Sequence, residues 1–204
     1  MVIGPVRAVA FDIGGVLEFT PETGWAARWE ERLGLPPGEV GRRLGSVWRA
    51  GAIGTLSELQ VVRAVREVLD LRPAQADAFL GDMWHEYVGM PNTELIEYTR
   101  GLRGRRRTGI ISNSFVGARW RERNLYHFED LADAIVYSHE VGVAKPDPLI
   151  FRLACDALKV KPAEMVFVDN MQGHVDAARA LGIQAVLFTS NAATIGDIEA
   201  RLAG

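Results

Sequence analysis

The fold is decided by the stretch Val6-Arg7-Ala8-Val9-Ala10-Phe11-Asp12-Ile13-Gly14-Gly15-Val16-Leu17. Its apolar first half, bounded by a turn signal, is typical of a buried strand in a parallel sheet. Asp12 follows at the carboxyl end of that strand, and the two glycines let the backbone bend and pass close to a ligand. Open α/β sheets bind ligands at this end of their strands. A ligand-binding Asp and an Asp that only caps a turn are both open at this point.

Composition limits the classes of function. The chain has 204 residues, 48% hydrophobic and 24% charged, which predicts a soluble globular core with room for an inserted subdomain. A net charge of −3 argues against a nucleic-acid or membrane partner. The only cysteine is Cys155, which fits a reducing cytoplasm. We find no signal peptide and no bilayer-spanning run, so we expect a cytoplasmic protein and leave its oligomeric state open.

Residues 19–88 show helical patterns and no convincing strand. Thr20-Pro21-Glu22 predicts the start of a helix, and Thr55-Leu56-Ser57-Glu58 predicts a capping box. Four tryptophans are concentrated here, and we expect them to pack the helices, with one or two facing a substrate cleft: Trp25, Trp29, Trp48 and Trp84.

From Pro91 onward helices and strands alternate, a pattern typical of a right-handed parallel α/β sheet. The same pattern starts before residue 19, so the helical segment interrupts it. We therefore predict an α/β fold, a Rossmann-like parallel sheet with helices on both faces and a small all-α cap inserted after the first strand. The predicted core comprises residues 1–18 and 89–204, and the predicted cap comprises residues 19–88.

Polar residues follow three of the predicted strands, and a lysine precedes a later helix. They are Asp12, Ser112-Asn113 and Asp169-Asn170, with Lys145 in the loop Gly142-Val143-Ala144-Lys145-Pro146-Asp147-Pro148. In a parallel sheet these strand ends lie on one edge. A carboxylate can attack phosphorus, hard oxygen ligands can hold a cation, and a lysine with a hydroxyl can hold phosphoryl oxygens. Singly each residue could be a turn former or a solvated charge, but together they suit phosphoryl transfer.

These four motifs resemble those of the haloacid dehalogenase (HAD) superfamily, in the branch of sugar-phosphate phosphatases, epoxide hydrolase phosphatase domains and 2-haloacid dehalogenases. The resemblance implies a Mg²⁺-dependent hydrolase of small phosphomonoesters that works through an aspartyl-phosphate, with a small phosphorylated metabolite as its partner. It implies that Asp12 is the nucleophile, that Ser112, Asn113 and Lys145 bind the substrate, and that Ser112 and Lys145 also serve catalysis. The implied metal ligands are Asp12, the Gly14 carbonyl, Asp169 and Asn170.

Two positions depart from the family pattern. Most phosphatases of the family have Asp at the position of Gly14, where it acts as general acid and base. The metal motif often reads Asp-Asp, and here it is Asp169-Asn170, so weaker metal binding is expected.

Two alternatives are a metal-independent 2-haloacid dehalogenase and a binding protein that has lost its chemistry at Gly14 and Asn170. The dehalogenase also uses an Asp nucleophile, but Gly14 and Asp169 match neither its first motif nor its last. The four histidines show no metal-ligand spacing, so surface or core roles are expected for His85, His127, His139 and His174.

Overall fold

A computed structural model describes residues 5–203 and confirms the α/β fold. Five parallel strands form one sheet, because each is an apolar run that can be buried on both faces. Their spatial order is β5 (Ala134–Tyr137), β4 (Arg107–Ser112), β1 (Ala8–Phe11), β6 (Met165–Asp169) and β7 (Gln184–Leu187). The central strand is β1, where Ala8 pairs with Arg107 on one side and with Met165 on the other.

Helices cover both faces of this sheet. One face packs against α5 (Thr93–Leu102) and α11 (Asn191–Leu202), and the other against α9 (Pro148–Leu158) and α10 (Gln172–Ala180). The remaining helices after β4 are short: α6 (Ala118–Tyr126), α7 (Phe128–Leu131), α8 (Ser138–Val141) and a 3₁₀ turn at Pro162–Glu164. The hydrophobic core therefore lies on both sides of the sheet.

Four consecutive helices lie between two very short strands that are not part of the five-stranded sheet. They are α1 (Trp25–Leu33), α2 (Glu39–Ala52), α3 (Glu58–Leu69) and α4 (Pro73–Val88), and they share a hydrophobic core of their own. Strands β2 (Glu18–Phe19) and β3 (Met90–Pro91) pair antiparallel, so the chain enters and leaves this segment at adjacent points. The division into a core and a cap stays a prediction, and residues 1–4 and 204 of the predicted core lie outside the described residues.

Two local predictions in this segment are wrong. Helix α1 begins at Trp25 rather than near Thr20, because Gly24 precedes it in the left-handed region and the Thr23 amide donates to Glu86 at 2.7 Å. The capping box of α3 is formed by Ser57 and Gln60, whose side-chain oxygen accepts from the Ser57 amide at 2.8 Å. No helix within residues 5–203 is long and apolar enough to cross a membrane.

Candidate active site

Asp12 follows the carboxyl end of β1 and is almost buried, at 7% exposure. Its Oδ1 accepts a hydrogen bond from the Ile13 amide and lies 2.8 Å from Lys145 Nζ. Among the described residues no hydrogen bond reaches Oδ2, so that oxygen is available to react. Burial raises the pKa of Asp12, the Lys145 ammonium opposes this, and the charge of Asp169 adds to the rise.

The Lys145 ammonium lies between two carboxylates. Its Nζ is 2.8 Å from Asp12 Oδ1 and 2.7 Å from Asp169 Oδ2, and it also donates to the Ile111 carbonyl at 2.9 Å. The side chain is fully buried. The ammonium thus makes two hydrogen bonds and an ion pair with Asp12. Lys145 therefore holds two strand ends together and supplies positive charge beside Asp12.

Asp169 ends β6, and its side chain is completely buried. The Met171 amide donates to its Oδ1, and His174 Nδ1 lies 3.0 Å from its Oδ2. Burial alone would raise the pKa of Asp169, but the hydrogen bonds from His174 and Lys145 and the Lys145 charge lower it below its usual value. Asp169 is thus held as a carboxylate.

His174 is a residue that the sequence reasoning missed. It lies in the first turn of α10, and its ring forms a close group with Asp12 and Asp169, whose ligand atoms all lie within 4.8 Å of one another. The sequence signal for His174 was its position five residues after Asp169. A side chain in the first turn of a helix that follows a strand can point back toward the end of that strand. The other three histidines are not part of this group.

The loop after Asp12 gives its two glycines different constraints. Gly15 has a φ of +76°, and a Cβ there would lie 2.2 Å from the Asn170 amide nitrogen, so this position requires glycine. A Cβ on Gly14 would meet no atom within 4 Å. Position 14 is therefore open to a larger side chain.

The Asp12 cavity, as we name it, has a volume of about 480 Å³. Its lining residues are Asp12, Gly14, Gly15, Phe19, Thr20, Asn113, Asn170 and Met171. The structure thus brings six of the predicted site residues to one place, since Asp12, Gly14, Asn113 and Asn170 line the cavity, Lys145 contacts Asp12, and Asp169 contacts Lys145. Asn170 is exposed on the rim, whereas Asp169 lies beneath it.

Ser112 and Asn113 differ in their availability. Both polar atoms of the Asn113 side chain bind the Lys145 backbone, with Nδ2 donating to its carbonyl at 2.8 Å and Oδ1 accepting from its amide at 2.7 Å. Ser112 ends β4 and is buried, and its hydroxyl enters none of the hydrogen bonds found between residues 5 and 203. Asn113 therefore fixes the loop that carries Lys145, whereas the Ser112 hydroxyl has no hydrogen-bond partner among the described residues.

The donor set suits a magnesium ion. Two carboxylates close to one ammonium leave an excess negative charge, and hard oxygen donors are the ligands that Mg²⁺ prefers. Gly14 and Asn170 line the same cavity and could add a carbonyl and an amide oxygen. The residues present therefore fit the metal that the motifs imply.

Two further acids are buried near enough to Asp12 to feel its charge. They are Glu18 in β2 and Glu122 in α6, at 2% and 1% exposure. Glu122 Oε2 accepts from the Tyr137 hydroxyl at 2.5 Å, and within the described residues Glu122 Oε1 and Glu18 Oε2 have no partner. Burial raises the pKa of Glu18 to about 9, helped by the charges of Glu122 and Asp12, and burial also raises the pKa of Glu122 to about 7. Glu18 does not line the Asp12 cavity.

Comparisons with known proteins identify the family of this chain. A model of the haloacid dehalogenase-like hydrolases matches residues 6–182. Bifunctional epoxide hydrolase 2 of Sus scrofa is 29% identical over 217 residues, which cover 95% of this chain and 38% of the pig protein. A phosphatase of Mycobacterium tuberculosis is 25% identical over 196 residues, covering 93% of this chain and 90% of that protein. The chain thus spans well under half the length of the pig relative.

One solved structure is a HAD family enzyme from Bacteroides thetaiotaomicron in complex with magnesium and inorganic phosphate. It has a TM-score of 0.75 and 20% identity to this chain, covering 91% of this chain and 96% of that one. At this identity the likeness concerns the fold.

Proposed function

Because this chain belongs to the haloacid dehalogenase-like hydrolase family, we propose that it is a Mg²⁺-dependent phosphatase of small phosphomonoesters, with Asp12 as its nucleophile. One observation carries the proposal: the buried Lys145 ammonium contacts both Asp12 and Asp169 at hydrogen-bond distance. This arrangement keeps Asp12 oriented, with one oxygen held and the other free for attack.

The proposed reaction has two steps. Asp12 Oδ2 attacks phosphorus, the bond from phosphorus to the ester oxygen breaks, and that oxygen leaves with the electron pair. Water then attacks the aspartyl-phosphate, the bond from phosphorus to the carboxylate oxygen breaks, and inorganic phosphate leaves with Asp12 restored. Position 14 carries no acid, so a leaving oxygen that needs a proton takes it from water or from another group.

Four residues would hold Mg²⁺ at this site: Asp12, Gly14 through its carbonyl, Asp169 and Asn170. When bound, the ion would neutralise the charge of the phosphoryl oxygens. His174 keeps Asp169 oriented and ionised through the contact at 3.0 Å, which makes it a positioning residue.

The protein's other polar groups have separate roles in the proposal. Ser112 would donate its hydroxyl to a phosphoryl oxygen, whereas Asn113 would position Lys145 through its two backbone hydrogen bonds. Lys145 would act through its charge, since its ammonium already contacts Asp12, Asp169 and the Ile111 carbonyl. Residues 19–88 would form a cap that covers the Asp12 cavity, since Phe19 and Thr20 line it from the start of that segment.

The test is Asp12→Asn, assayed over sugar phosphates, nucleotides, phospho-acids and an aryl phosphate with and without Mg²⁺. An amide cannot form the acyl-phosphate, so we expect a loss of at least about 10³-fold in kcat. Asp156→Asn, at an exposed position of α9, is the matched control. EDTA should abolish activity and Mg²⁺ should restore it.

Retained turnover in a folded Asp12→Asn protein would overturn the proposal. Halide release from 2-chloropropionate in EDTA would favour a dehalogenase instead. Tight binding of phosphate esters without turnover would favour a binding protein.

A further inference from the structure

A second cavity, of about 290 Å³, lies among the helices of residues 19–88 and the loop after β4. We name it the aromatic cavity, and its apolar lining is Trp25, Trp48, Met83, Tyr87 and Phe115. Concave sites that are lined mostly by apolar and aromatic side chains, with a few polar groups, are typical ligand sites. The aromatic cavity is therefore a candidate binding site.

The rings of the aromatic cavity are held in place by other rings. Trp48 packs edge-on against Phe115 with centroids 5.7 Å apart, and Trp25 packs edge-on against Phe79 at 5.0 Å. The Tyr87 hydroxyl accepts from the Phe115 amide at 3.1 Å. Such fixed aromatic walls suit a flat ring, which can pack edge-on or offset against them.

The aromatic cavity adjoins the Asp12 cavity. Thr20 lines both cavities. In the loop after β4, Asn113 lines the Asp12 cavity and Phe115, two residues later, lines the aromatic cavity. A molecule with its phosphoryl group beside Asp12 can thus extend its other end past Thr20.

The charges around the aromatic cavity limit the chemistry of the substrate group that can bind there. Glu86 is the one charged residue among the described lining residues, and no Lys, Arg or His lines the aromatic cavity. A second phosphate or a carboxylate would therefore find no cation there. The volume lies just below the range of about 300–1,000 Å³ for drug-sized ligands, so the aromatic cavity suits a group of one or two rings.

We propose that the aromatic cavity binds the leaving group of the substrate, and that the substrate class is aryl phosphomonoesters. This rests on the proposed phosphatase function. The empty position at Gly14 agrees with it, because a phenolate leaves without a proton whereas an alkoxide needs one. The aromatic cavity and the missing acid thus favour the same leaving group.

The first test compares 1-naphthyl phosphate with acetyl phosphate, which has no ring, by kcat/KM in the wild-type protein and three variants. Trp48→Ala should lower the ratio of the naphthyl to the acetyl value by about 10-fold, mainly through KM of the naphthyl ester. Trp48→Phe keeps a ring and should lose less. Trp120→Ala is the matched control, because Trp120 is 67% exposed and lies outside both cavities.

The second test needs no turnover. We expect 1-naphthol, which has no phosphate, to bind the wild-type protein and Trp120→Ala in a calorimetric titration, and to bind Trp48→Ala about 10-fold more weakly. If 1-naphthyl phosphate is hydrolysed but 1-naphthol does not bind, the inference fails while the phosphatase function holds. If no ester is hydrolysed, the phosphatase function fails and the naphthol titration still decides the aromatic cavity. A preference for alkyl over aryl esters would also overturn the inference.

Discussion

Glu18 should make this protein less stable as the pH rises. Glu18 is 2% exposed as a residue, and burial raises the pKa of its carboxyl group from 4.5 to about 9. Between these two values the folded protein holds a proton that the unfolded chain has lost. The contribution of Glu18 to the free energy of unfolding is therefore fully present below pH 4.5, and it is lost as the pH rises toward 9.

The magnitude follows from linkage. Each pH unit inside this window costs about 1.4 kcal/mol, so Glu18 alone removes about 4 kcal/mol of stability between pH 5 and pH 8. Gln resembles the protonated acid and does not titrate. Glu18→Gln should therefore become more stable than the wild-type protein by a margin that grows with pH.

The assay is urea denaturation of the wild-type protein, Glu18→Gln and Glu22→Gln at pH 5, 6, 7 and 8. Glu22 is exposed and is the matched control. The difference in unfolding free energy between Glu18→Gln and wild type should rise by about 1.4 kcal/mol per pH unit, and the control should run parallel to wild type. Parallel curves for Glu18→Gln and wild type would refute a buried, neutral Glu18.

Three further predictions concern the Asp12 cavity. Gly14→Asp places a carboxyl group where a Cβ meets no atom within 4 Å. It should raise kcat/KM for alkyl phosphates by about 10²-fold or more, and for aryl phosphates by less. No change for either ester would mean that the proton comes from another group. Asn170→Asp adds a negative charge and should lower the Mg²⁺ concentration for half-maximal activity by about 10-fold, whereas an unchanged titration would remove Asn170 from the metal site. His174→Ala removes a hydrogen bond from Asp169 and should weaken binding of Mn²⁺, followed by electron paramagnetic resonance, by about 10–100-fold; wild-type affinity would exclude the positioning role.

The sheet could be predicted from the sequence because its strands are short apolar runs that end in polar residues. Asp12 and Asp169 each follow such a run, and parallel pairing brings their strand ends together. Strands β2 and β3 were not predicted, since two residues show no period. The start of α1 was misplaced because the contact between Thr23 and Glu86 joins residues 63 positions apart.

Parts of the site depend on side-chain direction, which spacing does not give. The family resemblance implies that Asn113 binds substrate, but both polar atoms of its side chain bind the backbone of Lys145. The burial of Glu18 and the influence of the Glu122 charge on it depend on residues 104 positions apart, which no local pattern gives. Of the tryptophans, Trp25 and Trp48 line the aromatic cavity, whereas Trp29 and Trp84 are buried between helices.

The central place of β1 has a consequence for synthesis of the chain. Ala8 pairs with Arg107 and Met165, which emerge from the ribosome 99 and 157 residues later. At about 5–20 residues per second, β1 waits roughly 8–30 s for its second neighbour, with apolar side chains and two unpaired edges. Helices α1–α4 make contacts with one another and can form during that wait. We therefore expect the nascent chain to hold folded helices beside an unpaired strand, and to need protection from aggregation until β6 has been made.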